Sequence, residues 1–439
     1  MDPKGKKQKL STSEITSPSL DLKKKKKKKQ KVSKSLITTS PFHSEKDLVI
    51  PSPSLISKIN VGITMKKQND ITMFLAEKVI SAVATNSNFV FSSTSINFVL
   101  AMVAASSKNE TLRSSILSFI SFVTASATRH PLNRFVEIRQ QTLTTASSSI
   151  YFLPRVLLLH LFESLYHGGP KISAVHGVWT EQSLHVDPSL KDLFENFFKA
   201  TILETQAEEV REEVNCWASK HTNGLIKDIL PPGSVTRDTD SIYGNALYFK
   251  VTWEQKFPKS LTRDKEFHLL SGTSVSVPFM RNNTKQYIEE YNGFKVLKLP
   301  FRQGGDISLQ FSMYFYLPDA TDGLNSLVKK MASSTCGFLD SHTPRKEVDV
   351  GQFRIPKFKI DFGFEASSAL DGLDLASVLL YHKALVDIDE DGAEAAAVTV
   401  VTFTSGGRGF NRGRRIDFVA DHPFIFMIRE DKTGTVLFG

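Results

Sequence analysis

The feature that most limits the folds open to this chain is the order of its apolar patterns. Helical spacing comes first, and strand-length runs then follow one another through the rest. Ile71, Phe74, Leu75 and Val79 recur three and four residues apart, and a second apolar helix is predicted over Ile96 to Ala105. Strand-like runs follow at Ile172 to Trp179, Ile242 to Lys250, Ser274 to Met280, Phe294 to Leu299 and Leu309 to Leu317. Val348 to Phe362, Ala384 to Ile388, Phe424 to Ile428 and Val436 to Phe438 continue the series. Hairpin-like breaks such as Asp431-Lys432-Thr433-Gly434 fall between some runs, and helices are expected between others, at Ser189 to Ala200 and Gly323 to Ala332. This order implies an α+β domain built on large, mostly antiparallel sheets. With 439 residues and no internal repeat, the reading is one large domain.

Charge is unevenly placed. Residues 1 to 34 hold thirteen lysines against Asp2, Glu14 and Asp21, whereas the whole chain carries only +9. The basic character therefore belongs to a tail, and the body is close to neutral. Residues 1–66 are rich in Lys, Ser, Thr and Pro, so they are expected to form a disordered extension ahead of a domain over 67–439. Lys23 to Lys29 is an unbroken basic run that a nuclear import receptor would read; the plain alternative is a solubilising tail. No apolar run of about 18 residues is available to cross a membrane, and the Lys-rich N-terminus has no leader-like apolar core. Cys216 and Cys336 are too few for a disulfide framework. These features predict an intracellular monomer, nuclear or cytoplasmic, with no membrane partner.

A distinctive stretch begins at Glu390-Asp391-Gly392 and passes into Ala393, Glu394, Ala395, Ala396 and Ala397, then Val398-Thr399-Val400. A Gly/Arg segment follows, and then Phe418-Val419-Ala420-Asp421-His422-Pro423-Phe424. In isolation such a stretch reads as an Ala-rich linker. Its order nevertheless resembles the reactive-centre loop of the serpin family in its plant form, and further segments match that family in sequence order. Phe91-Ser92-Ser93-Thr94-Ser95-Ile96 resembles the start of a buried helix, with Ser93 where Pro is usual. Asn215 through Leu230, with Thr222-Asn223-Gly224-Leu225-Ile226, resembles a helix and turn. Asn245-Ala246-Leu247-Tyr248-Phe249-Lys250 followed by Trp253 resembles the central strand of the main sheet, and Phe353 to Lys359 another strand.

The resemblance implies a serpin-like fold over about residues 68 to 439, with eight or nine helices and an exposed loop over 392–416. It implies a suicide substrate and not an enzyme. A protease cuts the loop, an acyl-enzyme forms, and the loop's first half enters the main sheet with release of stored strain. Glu390, Gly392, Ala393, Glu394, Ala395, Ala396 and Ala397 would form the hinge, where small side chains slide between strands. Ala393 replaces the usual Thr but is small and uncharged. Ser92, Ser95, Asn245 and Trp253 would belong to the region where the sheet opens. Counting from Glu390 places the cut at Gly406–Gly407, but the loop is one residue longer than usual, and Arg408–Gly409 is the better bait. An arginine there selects trypsin-like serine proteases or Arg-specific cysteine proteases. Arg412, Arg414 and Arg415 are alternative cut sites.

Three departures from the family pattern favour a second function, a non-inhibitory serpin-like binding protein. Leu373 to Leu380 runs almost directly into Tyr381-His382-Lys383-Ala384, so the bottom of the main sheet is expected to be less well closed. Residues 121–166 have no family counterpart. The sequence stops at Gly439, short of the usual end of the last strand, which is expected to cost buried area. A third reading, nucleic-acid binding, rests on the Lys run and one Arg-Gly segment, Gly406 to Arg415. Enzyme chemistry finds no Gly-x-Ser-x-Gly elbow, phosphate loop or metal-ligand spacing, so no cofactor or metal is expected. His422 reads as structural, Cys216 beside Trp217 as a buried helix residue, and the sugar-acceptor patterns at Asn109 and Asn282 as chance.

Overall fold

The apolar alternation of the long central runs is realised in one sheet. The computed structural model describes residues 61–82, 87–122, 171–182, 186–206, 209–236, 239–304, 307, 309–334, 337–370, 373, 375, 378–392 and 414–439. Strands β1 (Lys171–Glu181), β2 (Thr201–Thr205), β3 (Ser241–Lys250), β11 (Phe358–Glu365) and β12 (Val378–Ile388) form a five-stranded sheet in the order β11-β12-β3-β1-β2. A second sheet of four strands has the order β13-β10-β5-β4, from Ile416–Val419, Val350–Pro356, Ser274–Met280 and Arg263–His268. The third runs β15-β14-β8-β7-β6-β9, from Val436–Phe438, Ile425–Glu430, Phe311–Pro318, Phe294–Pro300, Gln286–Tyr291 and Glu347–Val348. Among the described residues there are seven α-helices: α1 (Val61–Ala82), α2 (Ser93–Ser106), α3 (Glu110–Phe122), α4 (Pro188–Asp192), α5 (Val210–His221), α6 (Leu324–Ser333) and α7 (Phe338–Ser341). The expected α+β class with mostly antiparallel sheets is what the chain adopts.

Alternation decides which face of the main sheet meets which helix. Val178, Tyr243 and Leu380 point to α2, whose residues from Ser93 to Ala105 are all buried. Trp179, Ile242 and Tyr381 point the other way, against Val210, Val214 and Trp217 of α5. The indole of Trp179 lies across Gly177 and Gly244, which are register partners; a Cβ on either would meet its ring carbons within 2.8 Å. The second and third sheets pack face to face through Met280, Phe353, Ile355 and Phe418 on one side and Leu297, Met313, Phe315 and Ile428 on the other.

Several boundaries differ from the sequence expectation. Helix α1 starts at Val61, inside the stretch read as extension, because a helix once nucleated propagates through residues of indifferent propensity. The run Val348 to Phe362 is not one strand. It is divided among β9, β10 and β11, which belong to three different sheets, and the last jump falls at Pro356, which has no N–H to donate. The helix expected over Ser189 to Ala200 gives way to a π turn at Leu193–Phe197, and Lys199, with φ of 53°, turns the chain into β2.

The bottom of the main sheet is closed, contrary to expectation. Strand β12 begins at Val378, six residues before the expected Ala384, and pairs with both neighbours. Glu365 Oε1 accepts from the amide of Ser367 at 2.9 Å and of Leu380 at 3.2 Å, and Ser367 Oγ donates to Val378 O at 2.9 Å. Leu370, Leu373 and Leu375 are buried beneath. The last strand is likewise paired: Gly439 and Phe91 exchange two backbone hydrogen bonds, of 2.9 and 3.0 Å, and Phe438 is fully buried against Phe249. The unusual stretch 121–166 lies outside the described residues from 123 on. Replacing Phe438 by Ala is expected to lower the unfolding free energy by about 3–5 kcal/mol through the cavity it leaves, read as an earlier first transition in urea.

Candidate functional site

The centre of the five-stranded sheet is a parallel seam. Ser241–Tyr248 of β3 run alongside Val378–Leu385 of β12 in the same direction, while β1 and β11 flank this pair antiparallel. Parallel ladders are slightly less stable per residue. A strand entering the seam from the end of β12 would run antiparallel to both walls.

One level of the seam is polar. His176 of β1, Asn245 of β3 and His382 of β12 are register partners on the face toward α2. They separate the apolar cluster of Val178, Tyr243 and Leu380 from that of Leu247, Ala384 and Val386. Asn245 Nδ2 donates to Ser95 Oγ at 2.5 Å and to His176 Nδ1 at 2.7 Å. Its Oδ1 accepts from His382 Nδ1 at 2.8 Å, and His382 Nε2 accepts from the Ser92 amide at 3.1 Å. Ser92 caps α2 by accepting from the Ser95 amide at 3.2 Å. Ser93 hydrogen-bonds Thr72 of α1. Burial pushes His382 down to about 3; burial, and then the neighbouring His382, do the same to His176.

At the top of the seam the chain reverses. Asp389 and Gly392 exchange backbone hydrogen bonds of 2.8 and 3.2 Å, and Gly392 is also bridged to Thr252, beyond the end of β3. Gly392 is thus held on both sides. Its φ is +122°, and an added Cβ would press on the Val251 carbonyl and come within 2.7 Å of Thr252 Cα and 2.9 Å of Trp253 N. Trp253 is buried, stacks on Phe301 at 4.8 Å and donates its indole N–H to Asp389 O at 2.8 Å.

Lysines hold the acidic turn. Lys357 Nζ lies 2.7 Å from Glu390 Oε2, and Thr262 Oγ1 donates to Glu390 Oε1 at 2.7 Å. Burial alone would raise the Glu390 carboxyl, but the Lys357 ammonium and the Thr262 hydroxyl outweigh it and hold the pKa below the usual range. Asp391 sits between Lys259 at 2.8 Å and Lys256 at 2.9 Å, which lower its pKa in that order. Asp389 instead is raised, chiefly by burial.

Ser92, Ser95, Asn245, Trp253, Glu390 and Gly392 are therefore brought to one seam and its mouth. Ala393, Glu394, Ala395, Ala396, Ala397, Gly406, Gly407, Arg408, Gly409 and Arg412 lie outside the described residues. Arg414 is engaged at 2.7 Å with Glu290, at the anchored start of β13. His422 has both ring nitrogens engaged, with Pro318 O at 2.8 Å and Asp421 Oδ1 at 2.9 Å. Cys216 is exposed and not buried, because α5 turns it away from the face that carries Val214 and Trp217. Asn109 caps α3 through the amides of Thr111 and Leu112, and Asn282 is buried. Sequence reasoning missed His176, His382, Lys357, Lys256, Lys259 and Thr262. Of these, only His382 stood in a segment already marked as unusual.

A family model described as Serpin (serine protease inhibitor) matches residues 66–439. "Probable non-inhibitory serpin-Z5" of Arabidopsis thaliana is 56% identical, over 100% of this chain and 98% of that protein. Serpin-Z2 of the same plant is 51% identical, over 100% of this chain and 96% of its own length. The solved structure of Arabidopsis AtSerpin1 in its native stressed conformation superposes with a TM-score of 0.73 at 40% identity, covering 87% of this chain and 97% of that one.

Gly392→Ala is expected to strain or displace the turn at a cost of about 1–3 kcal/mol. The reading is a lower thermal midpoint, with a red shift of tryptophan emission as Trp253 loses its carbonyl partner. An unchanged midpoint and spectrum would mean that the two-sided hold on Gly392 does not constrain the molecule.

Proposed function

The chain belongs to the serpin family, and on that footing we propose that it inhibits proteases as a suicide substrate. The observation that carries this reading is the placement of Gly392, bridged at once to Asp389 and to Thr252. The reversal that an entering strand needs is already made, at the mouth of a parallel seam. The next residues, Ala393 to Ala397 with Glu394 among them, carry little side chain to obstruct entry. A protease nucleophile would attack the carbonyl of Arg408 and form an acyl-enzyme, expelling the amine of Gly409. Entry of Ala393 and its successors between β3 and β12 would replace one parallel contact by two antiparallel ones, and that exchange would supply the driving force. Arg408 suits trypsin-like serine proteases or Arg-specific cysteine proteases, whose pockets hold a carboxylate for its guanidinium. We further propose an intracellular site of action, with Lys23–Lys29 read by an import receptor; the concentration of charge in that tail supports it.

A second reading has an observation of its own. The relative that is 56% identical is described as probably non-inhibitory. On that reading the fold is kept as a binding body, and cleavage of the loop leads to no trap.

Equimolar incubation with trypsin followed by denaturing electrophoresis separates the two. A stable band near the summed masses, with trypsin activity falling by at least ten-fold, is expected from the full chain and is expected to vanish for Arg408→Ala. Loop cleavage with no such band and with trypsin activity unchanged would establish the second reading.

A further inference from the structure

Four arginines stand between Gly406 and Ile416, and a protease that seeks arginine is offered all of them. Two of these, Arg414 and Arg415, lie where the chain enters β13. Exposure alone would make Arg414 a ready target, because its side chain is 82% exposed. Its guanidinium, however, already has a carboxylate: Glu290 Oε2, near the end of β6, is 2.7 Å away. Lys295 Nζ of β7 lies 3.9 Å from the other oxygen of that carboxylate and donates to Asp417 O at 3.1 Å. Glu290 thus offers Arg414 the same partner that the pocket of an Arg-directed protease would offer.

A peptide bond is cut only when the residues on both sides of it can lie extended in the protease cleft. Beyond Arg415 the chain is already committed elsewhere. The Ile416 amide donates to Asp349 O at 3.1 Å, and Asp417 Oδ1 accepts from the Gln352 amide at 2.6 Å. A register shift separates the Val350–Ile416 pair from Phe353–Phe418, and within it the Asp417 carboxylate serves as a backbone acceptor would. Gly351 leaves room for that carboxylate, since a Cβ there would overlap Asp417 Oδ1. Phe418 then packs, fully buried, against Phe353. A cut after Arg414 or Arg415 therefore requires the start of β13 to come away first. The population of that opened form, and not side-chain exposure, sets the rate.

We infer that Glu290 and Asp417 are specificity-determining residues: they withhold Arg414 and Arg415 from proteolysis and so confine Arg-directed cleavage of this segment to Arg408 and Arg412. Glu290 acts on the side chain of Arg414, and Asp417 on the backbone that follows both arginines. The inference rests on the proposed function for the class of protease that is drawn to the segment.

Brief digestion of the full chain by trypsin, with the C-terminal fragments weighed by intact mass spectrometry, reads which bond breaks first. Cuts after Arg408, Arg412, Arg414 and Arg415 give fragments that begin at Gly409, Gly413, Arg415 and Ile416, each of a different mass. First cuts after Arg414 and Arg415 are expected to be about ten-fold rarer than those after Arg408 and Arg412 together. Glu290→Gln is expected to raise the share cut after Arg414 by about two- to five-fold. Asp417→Ala, which takes the acceptor from the Gln352 amide, is expected to raise the share after both arginines by about ten-fold. Added salt is expected to raise the Arg414 share in the unmodified chain and to leave it unchanged in Glu290→Gln, a difference that general loosening of the fold would not produce. First cuts spread evenly over the four arginines would overturn the inference. So would equal shares in the unmodified chain and both variants, or an Arg414 share in the unmodified chain that ignores salt. Should Asp417→Ala fail to fold, the salt dependence of the unmodified chain still decides. The trap and the shielding fail separately, because the fragment mass records the broken bond whether the protease is afterwards held or released.

Discussion

Two strands that run the same way, each paired on its outer side to a strand running the other way, set the terms for the rest of this molecule. The β3–β12 seam is the one place in the main sheet where a further strand, folding back from the end of β12, would find antiparallel partners on both sides. Everything around it bears on whether the seam stays shut. On one face α2 is buried from Ser93 to Ala105 and supplies Ser92 and Ser95 to the polar level. On the other, Trp179 fills the groove over Gly177 and Gly244 and packs on Trp217 at 5.0 Å. A buried polar level costs little while every donor meets an acceptor, and a great deal when one does not. Hence the seam is held by matching as much as by apolar contact.

The mouth of the seam is governed by charge. Three consecutive acidic residues, Asp389 to Asp391, occupy one tight turn, and such a row repels itself unless it is compensated. Lys357, Lys256 and Lys259 provide cations from two separate segments, while Asp389 Oδ1 accepts the amides of Asp391 and Gly392 at 2.8 and 3.1 Å. Lys357 directly follows Pro356, where the chain passes from the second sheet to the main one. The crossing between sheets and the turn at the hinge are therefore fixed by the same ion pair. Because Glu390 is largely desolvated, its bond to Lys357 is screened less than the more exposed contact of Lys259 with Asp391.

How much of this was legible in the sequence follows from what kind of signal each part carries. The strands Ser274 to Met280 and Val436 to Phe438 appear where they were expected. Among the strands missed, β4 is solvent-facing along most of its length, and β6 has its short apolar pattern broken by the exposed pair Glu289 and Glu290. The split of Val348 to Phe362 among three sheets was hidden because an apolar run reports burial, not the identity of the neighbour that buries it. Ser92, Ser95, Asn245, Trp253, Glu390 and Gly392 could be named in advance from resemblance. His176 and Lys357 could not, since neither a lone histidine nor a lone lysine announces its partner 69 or 33 residues away.

The joining of Phe91 to Gly439 has a consequence for how the molecule is made. Thr94 Oγ1 donates to Val436 O at 2.7 Å, and the Val436 amide donates to Asn69 Oδ1 at 3.1 Å, so the body of α1 and the beginning of α2 are closed by residues more than 340 positions later. A ribosome delivers β3, β11 and β12 well before β14 and β15. The main sheet is thus on hand while one end of its covering helices still waits for its partner. Only when the final strands arrive does the core become complete, so the start of α2 meets its last backbone partner after the main sheet has been synthesised.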